Sequence, residues 1–248
     1  MNERDGNISA ADVEKPPALS IIIPTLDEAS TIERTLDAVL SMSSSLEVFV
    51  VDGGSRDGTV AAVRGRGVRL LASERGRGLQ MHTGACVARG EVLWFLHADT
   101  LPSAECPSRI IEAMRDTRVV AGNFDVLFDG DRRAARFLTW LYPRLRMIGL
   151  CYGDSGIFVR REAYLRVGGF RPFPIFEDLD LVRRLRKMGR VAHLSAVVKT
   201  SSRRFEGRSF ALTFARWSIL QALYWLGVNP HTLVRLYAPV RSAGGRRK

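Results

Sequence analysis

Cysteine is scarce in this chain of 248 residues, and no two of Cys86, Cys106 and Cys151 form a CxxC pair. Three cysteines cannot complete a set of disulfides, which argues against a disulfide scaffold or zinc ribbon and favours a reducing cytoplasm. Long apolar runs are also missing. The aromatic-rich segment Ser209–Gly227 is interrupted by Arg216, preceded by Arg208, and too short to span a bilayer. It reads as core packing, or as a helix lying in a membrane interface. Residues Met1–Lys15 carry no apolar stretch, so they read as a loose leader and not as a secretory signal. No repeat or low-complexity block occurs apart from the arginine-rich tail Arg241–Lys248.

Negative charge is in deficit: 26 Asp and Glu stand against 37 Lys and Arg, for a net charge of +11. Nearly all the positive charge is arginine, whose planar fork suits phosphates and diphosphates. Nucleic acid, an anionic membrane surface and a nucleotide-sugar diphosphate could each use it. With no zinc finger and no basic stretch interleaved with aromatics, nucleic acid is the least favoured of the three. The 46% hydrophobic and 25% charged residues are those of an ordinary globular domain.

The first hundred residues alternate strand and helix signals. Continuous apolar runs at Leu19–Ile23, Leu46–Val51, Val68–Ala72 and Val92–Leu96 predict strands covered on both faces. Helical patterns between them, near Thr31–Leu40, Thr59–Arg64 and Leu79–Ala88, predict βαβ units. From about Ser103 the pattern changes to a helix at Ser108–Asp116, an extended run Val119–Phe128 and an amphipathic helix from Asp131 to about Arg146. A strand carrying Arg160, a proline-rich loop, an amphipathic helix after Phe176 and a short strand Arg190–Ala192 follow.

Carboxylates collect where the strands end. Asp27 and Glu28 follow the first, Asp52 and Asp57 the second, and Asp99 the fourth. Open α/β sheets bind ligands at the carboxyl ends of their strands, so this cluster is placed to hold a nucleotide. Asp52, ahead of Gly53 and Gly54, can accept hydrogen bonds from a base or ribose, but an Asx-turn or helix cap explains it equally well. Asp57 invites the capping explanation more strongly. RGRG at Arg75–Gly78 opens a helix, where amides and the two arginines suit a phosphate or merely make a glycine turn. Glu177 and Asp178 open another helix behind a proline loop, a place the helix dipole alone favours for acids. Asp180 is expected to face solvent or to pair with Arg184 four residues on.

These segments, in this order, resemble family 2 glycosyltransferases of the GT-A fold: PTLDE at Pro24–Glu28, DGGS at Asp52–Ser55, RGRG at Arg75–Gly78, HAD at His97–Asp99, GDS at Gly153–Ser155 and FED at Phe176–Asp178. The resemblance runs over nearly the whole chain after the leader. It implies an α/β domain with a mostly parallel central sheet flanked by helices. It spans residues 18–240, with a nucleotide-binding half at 18–100, an acceptor and catalytic half at 101–208 and a C-terminal apolar helix at 209–240. A leader at 1–17 and a basic tail at 241–248 flank it.

The resemblance further implies that Pro24, Thr25, Asp27, Glu28, Asp52, Gly53, Asp57, Arg75, Arg77, His97 and Ala98 border the nucleotide sugar. Asp27 stands where Asn is common. Asp99 would hold a Mg²⁺ or Mn²⁺ bridging the diphosphate, a task one carboxylate can meet beside phosphate oxygens. His97 replaces the first Asp of the usual Asp-x-Asp motif. His193 is a further candidate metal contact, and Gly153 and Asp154 fall on the acceptor side. Asp178 would be the general base, with Glu177 as the alternative, since a sugar hydroxyl becomes a nucleophile when a positioned carboxylate takes its proton.

The Gln-x-x-Arg-Trp motif of processive synthases is absent, which argues against long polymers. The chain looks most like a small bacterial subgroup often encoded beside radical-SAM or selenium-related proteins and linked to arsenosugar synthesis. Similar sequences have been labelled carotenoid-acid glycosyltransferases. The expected activity is inverting transfer from a nucleotide-diphosphate sugar to a hydroxyl or carboxylate of a small or lipid-like molecule, in the cytoplasm or at the inner face of the membrane. A nucleotidyltransferase and a non-catalytic nucleotide-sugar or membrane binder are the rival classes. The first would place a glycine-rich Arg/Lys loop after the first strand, where PTLDEAS stands.

Overall fold

A computed structural model describes residues 17–42, 46–129, 133–147, 152–201 and 209–236. The leader, the basic tail, Cys151 and most of the basic loop before Ser209 lie outside the described residues. The strands are β1 Leu19–Thr25, β2 Leu46–Asp52, β3 Arg69–Ala72, β4 Val92–Phe95, β5 Thr100–Pro102, β6 Val119–Phe128, β7 Phe158–Arg160 and β8 Arg190–Thr200. The helices are α1 Ile32–Leu40, α2 Thr59–Val63, α3 Arg77–Val87, α4 Cys106–Ala113, α5 Arg133–Met147, α6 Arg161–Arg166, α7 Glu177–Leu185, α8 Phe210–Trp225 and α9 Pro230–Leu236.

The strands form one sheet in the order β3-β2-β1-β4-β7-β6-β8-β5. Strands β1 to β4, β6 and β8 share one direction, while β7 and β5 run against them. The expectation of a mostly parallel sheet holds. From β1 the chain builds outward to β2 and β3, then returns to lay β4 on the other side of β1. That reversal opens a crevice at the carboxyl ends of β1 and β4. The register pairs Thr25 with Asp52 and Asp52 with Ala72, so three strands end level with one another.

Pleating explains why the runs are apolar throughout. Ile21 and Ile23 of β1, Val48 and Val50 of β2 and Trp94 of β4 enter one core layer, whereas Ile22, Phe49, Val51, Leu93 and Phe95 enter the other. Helix α1 seals the first layer with Ile32, Leu36 and Val39. Helix α3 seals the second and approaches very closely: a Cβ on Gly84 would sit 2.6 Å from Ile22 Cγ2. A third, smaller cluster joins Phe176 and Leu179 to Leu220 and Tyr224 of α8 and Leu233 of α9. The apolar C-terminal segment therefore packs one face into the core.

One expectation needs correction, and one alternative is decided. Strand β8 runs for eleven residues, not the three read from Arg190–Ala192, because beyond Ala192 its side chains alternate between buried and exposed. Asp180 does not face solvent. It is fully buried among Arg171 (3.5 Å), Arg183 (3.3 Å) and Arg184 (2.8 Å). The expected pairing with Arg184 is present, and Arg184 also donates to the Val167 and Gly169 carbonyls, which clamps the loop ahead of α7.

Candidate active site

The loops after β1 and β2 are laced together by the acids that the sequence placed there. Asp52 Oδ2 accepts from the amides of Gly54 and Ser55, both at 2.9 Å, and its Oδ1 from the hydroxyls of Ser55 and Thr25. This is the Asx-turn explanation realised. Asp27, in a left-handed conformation (φ 56°), accepts from the Arg56 amide at 2.8 Å, and its own amide donates to Ser55 Oγ. Asp and Asn tolerate that region better than other side chains, which accounts for either residue at this position. Glu28 accepts from Thr31 Oγ1 at 2.8 Å near the start of α1. Asp57 accepts from the amides of Ala29 and Thr59 and from the Thr59 hydroxyl. Slight burial pushes its carboxyl up, but these hydrogen bonds outweigh that and hold it below the usual range.

Buried Gln80 of α3 closes the floor by donating to the Thr25 carbonyl (2.7 Å) and the Val51 carbonyl (2.8 Å). It lies 3.0 Å from where a Gly53 Cβ would project, so the loop passes directly over it. Pro24 is part of β1, level with Val51. Ala98 is buried, and its carbonyl accepts from Thr35 of α1 at 2.8 Å. Thr25, Gly53 and Ala98 thus shape the cleft through backbone groups as much as side chains.

The catalytic candidates converge from four distant segments. Phe176 enters α7 with φ 62°, an uncommon conformation for a bulky residue, fixed by stacking on Tyr224 and an edge contact with Trp217. Glu177 follows, 1% exposed, with one oxygen held by Arg77 at the start of α3 and the other without a partner. Asp178 is 6% exposed; its Oδ2 accepts from the Gly153 amide at 2.6 Å and its Oδ1 from the Leu179 amide at 2.8 Å. Burial and then repulsion from Glu177 raise its pKa, against the pull of Arg77 and the two amides. Burial alone would lower the Arg77 guanidinium, but Glu177, Asp178 and Asp154 hold it well above its ordinary value. Arg77 is thus paired with the acids through its Nε. Arg75 stays exposed in the loop before α3.

His97 turns to Asp154, with Nδ1 3.1 Å from its carboxylate, while Nε2 is buried without a partner. A Cβ on Gly153 would lie 2.9 Å from His97 Nε2 and 3.3 Å from Asp178 Oδ2, so only glycine fits between them. His97 thus packs against the Gly153–Asp154 segment. Asp99 sits half-buried in the tight turn between β4 and β5, closed by the Thr100 amide on the His97 carbonyl (3.1 Å).

His193 was expected near a metal. Its Nδ1 lies 2.6 Å from Asn123 Oδ1 on the neighbouring strand β6, and among the described residues no three His, Cys, Asp or Glu gather into a metal cluster. Asp99 is the carboxylate expected to hold the ion. One carboxylate would fit a hard divalent ion that takes its other ligands from phosphate and water. Sequence reasoning missed Tyr142, whose hydroxyl donates to Asp154 (3.3 Å), and Tyr152, which donates to Gln221 of α8 (2.7 Å). Folding brings Tyr142 to Asp154 from α5, and Gln221 of α8 to Tyr152, which stands directly before the GDS motif.

Residues 20–171 match the family model described as Glycosyl transferase family 2. The chain belongs to that family. Among curated relatives, it is 31% identical over 174 residues to glycosyltransferase AglE of Haloferax volcanii, covering 64% of this chain and 56% of that protein. It is 28% identical over 177 residues to the succinoglycan biosynthesis protein ExoO of Rhizobium meliloti, covering 66% and 49%. The chain thus spans about half the length of these curated relatives.

Among solved structures, mannosyltransferase PcManGT from Pyrobaculum calidifontis, in complex with GDP-Man and Mn²⁺, superposes with a TM-score of 0.66 at 23% identity, over 92% of this chain and 66% of that one. Glucosyl-3-phosphoglycerate synthase from Mycobacterium tuberculosis, in complex with Mn²⁺, UDP and glucosyl-3-phosphoglycerate, gives 0.61 at 18% identity, over 86% and 81%. At such identities the structures speak for the fold, and the fold of this family 2 chain is GT-A.

Proposed function

We propose that this chain moves a sugar from a nucleotide-diphosphate sugar to a hydroxyl or carboxylate of a small or lipid-like acceptor, with inversion at the anomeric carbon. The observation that carries this is Asp178: a buried carboxylate with a raised pKa, held by the amide of Gly153 in the GDS motif. Raised carboxyls at such sites are suited to proton transfer near neutral pH. In the step we infer, Asp178 takes the acceptor hydroxyl proton as the oxygen bonds to the anomeric carbon, and the bond from that carbon to the diphosphate breaks. For a carboxylate acceptor no proton need move.

Glu177, tied to Arg77, positions Asp178 and keeps positive charge beside it. Arg75 and the amides at the start of α3 face the donor phosphates. Asp27, Glu28, Asp52 and Asp57 hold the nucleoside loops in shape, and Asp52 touches the base or ribose by exchanging one of its loop hydrogen bonds. A Mg²⁺ or Mn²⁺ on Asp99 and the diphosphate oxygens would supply neutralising charge to the leaving group.

Support for the donor class comes from the family and from neighbours bound to GDP-Man or UDP with Mn²⁺. The resemblance to the arsenosugar-linked subgroup suggests a small acceptor and the carotenoid-acid labels a lipid-like one, and neither follows from the residues of the site. A cytoplasmic site accords with free Cys86 and Cys106.

Replacing Asp99 by Ala should leave the fold intact and abolish the extra thermal stabilisation that Mn²⁺ adds to nucleotide-sugar binding. The same Mn²⁺-dependent shift in wild type and variant would remove Asp99 from the metal role.

A further inference from the structure

The outward side of the C-terminal helices is apolar and carries no acid. On α8, Leu212, Ala215, Ile219, Ala222 and Leu226 (the residue capping its end) recur at helical spacing and are all exposed, Leu212 by 73%, Ile219 by 60% and Leu226 by 80%. Trp225 adds a further exposed ring at 60%. The opposite side of the helix holds Trp217, Leu220 and Tyr224 against the catalytic half. Helix α5 extends the surface: exposed Phe137 meets Phe210 and Phe214 of α8 edge-on, and Trp140 beside it lies open with the Arg144 guanidinium 3.8 Å above its ring.

Charge decides what covers this face. Neither 133–147 nor 209–236 contains an Asp or Glu, whereas Arg136, Arg144, Arg216 and Arg235 are all exposed. A second copy of the chain seated on it would bring arginine against arginine with no carboxylate between them. An anionic lipid surface meets both demands, because its headgroups pair with the arginines while the apolar side chains enter the acyl boundary. No helix among the described residues is long and apolar enough to cross a membrane. Helix α8, sixteen residues and about 24 Å long, suits a position in the plane of the interface.

We propose that α8 and the exposed part of α5 dock the protein on an anionic membrane surface. The inward residues Trp217 and Tyr224 grip Phe176, the residue before Glu177 and Asp178, so docking sets the acceptor side of the cleft beside the lipid plane. That last consequence rests on the transfer reading; the docking itself does not.

Flotation of the full chain with vesicles of phosphatidylcholine alone, or mixed with phosphatidylglycerol, tests the proposal. The protein should float with the mixed vesicles, remain behind with the neutral ones, and be released by high salt. A variant carrying Ile219→Ser, Trp225→Ser and Leu226→Ser should lose roughly tenfold or more of its flotation at an unchanged melting temperature. Its thermal shift with nucleotide sugars should stay at the wild-type size, which separates failure of docking from failure of the transfer reading. Absence of binding to anionic vesicles would overturn the proposal. So would wild-type flotation by the triple variant, or a dimer in solution that the variant dissolves.

Discussion

Asp178→Asn is expected to lower the transfer rate by roughly a hundredfold to ten-thousandfold, the span that a positioned general base contributes. Donor affinity should hardly move if the carboxylate serves the acceptor as proposed, because it is bonded to the Gly153 amide and the loops after β1 and β2 are built separately. In the wild type, loss of rate on acidification should set in above the ordinary carboxylate range, since burial and Glu177 hold the proton on Asp178 more tightly than in the unfolded chain. The same linkage fixes the sign of its effect on stability. A group whose pKa is raised on folding binds more protons in the native state, so its contribution falls as pH rises through the raised value. Asp178→Asn removes that pH-dependent contribution but can accept from only one of the two backbone amides, so the two effects oppose each other and its melting temperature at neutral pH should stay near that of wild type while activity is lost. Turnover within a few-fold of wild type would remove Asp178 from the base role.

Asp180→Ala should do the reverse, because Asp180 supports the site without reaching it. Its carboxylate is the counter-ion of Arg184, which is itself only 13% exposed. Removing one partner of a buried pair leaves the other charge uncompensated, at a cost of about 3 kcal/mol. For a domain of this size that corresponds to a fall in melting temperature of roughly 6–12 °C. The exposed partners Arg171 and Arg183 add little, since water screens them. The loss should appear in thermal melts, with a residual rate per folded molecule well above that of Asp178→Asn. A melting temperature unchanged by the substitution would mean that Arg184 is held by the Val167 and Gly169 carbonyls alone.

The nucleotide half was legible in the sequence because its physics is local. Strands β1, β2 and β4 are buried on both faces, so each announces itself as an unbroken apolar run, and the acids fall at the strand ends where such sheets bind ligands. What those acids do was less legible. Asp27, Asp52 and Asp57 mainly bond to loop amides, and a carboxylate facing a ligand has the same local spelling as one closing a turn.

Long-range pairings left no local trace. Nothing near His97 predicts Asp154, and nothing near Arg77 predicts Glu177; each pair forms only when the crevice closes. Asp180 was read as solvent-facing or paired with Arg184; the pairing forms, and only its burial was not legible, because three acids in a first helical turn look like a solvated, dipole-favoured cluster. The arginines that bury Asp180 come partly from the preceding loop. Strand β8 was cut short because polar His193 and Ser195 follow Ala192 on its alternating face, and the partner of His193, Asn123, lies on a parallel neighbour seventy residues earlier.

The claim on which the rest depends is that this GT-A cleft uses a nucleotide-diphosphate sugar. Release of nucleoside diphosphate, measured over a panel of nucleotide sugars with and without Mn²⁺, tests it most directly. The account predicts that at least one donor is turned over by the wild-type protein in a Mn²⁺-dependent way, and that Asp178→Asn binds that donor without matching its turnover. Mn²⁺-independent release, or a panel in which no nucleotide sugar is turned over and none raises the melting temperature, would contradict it.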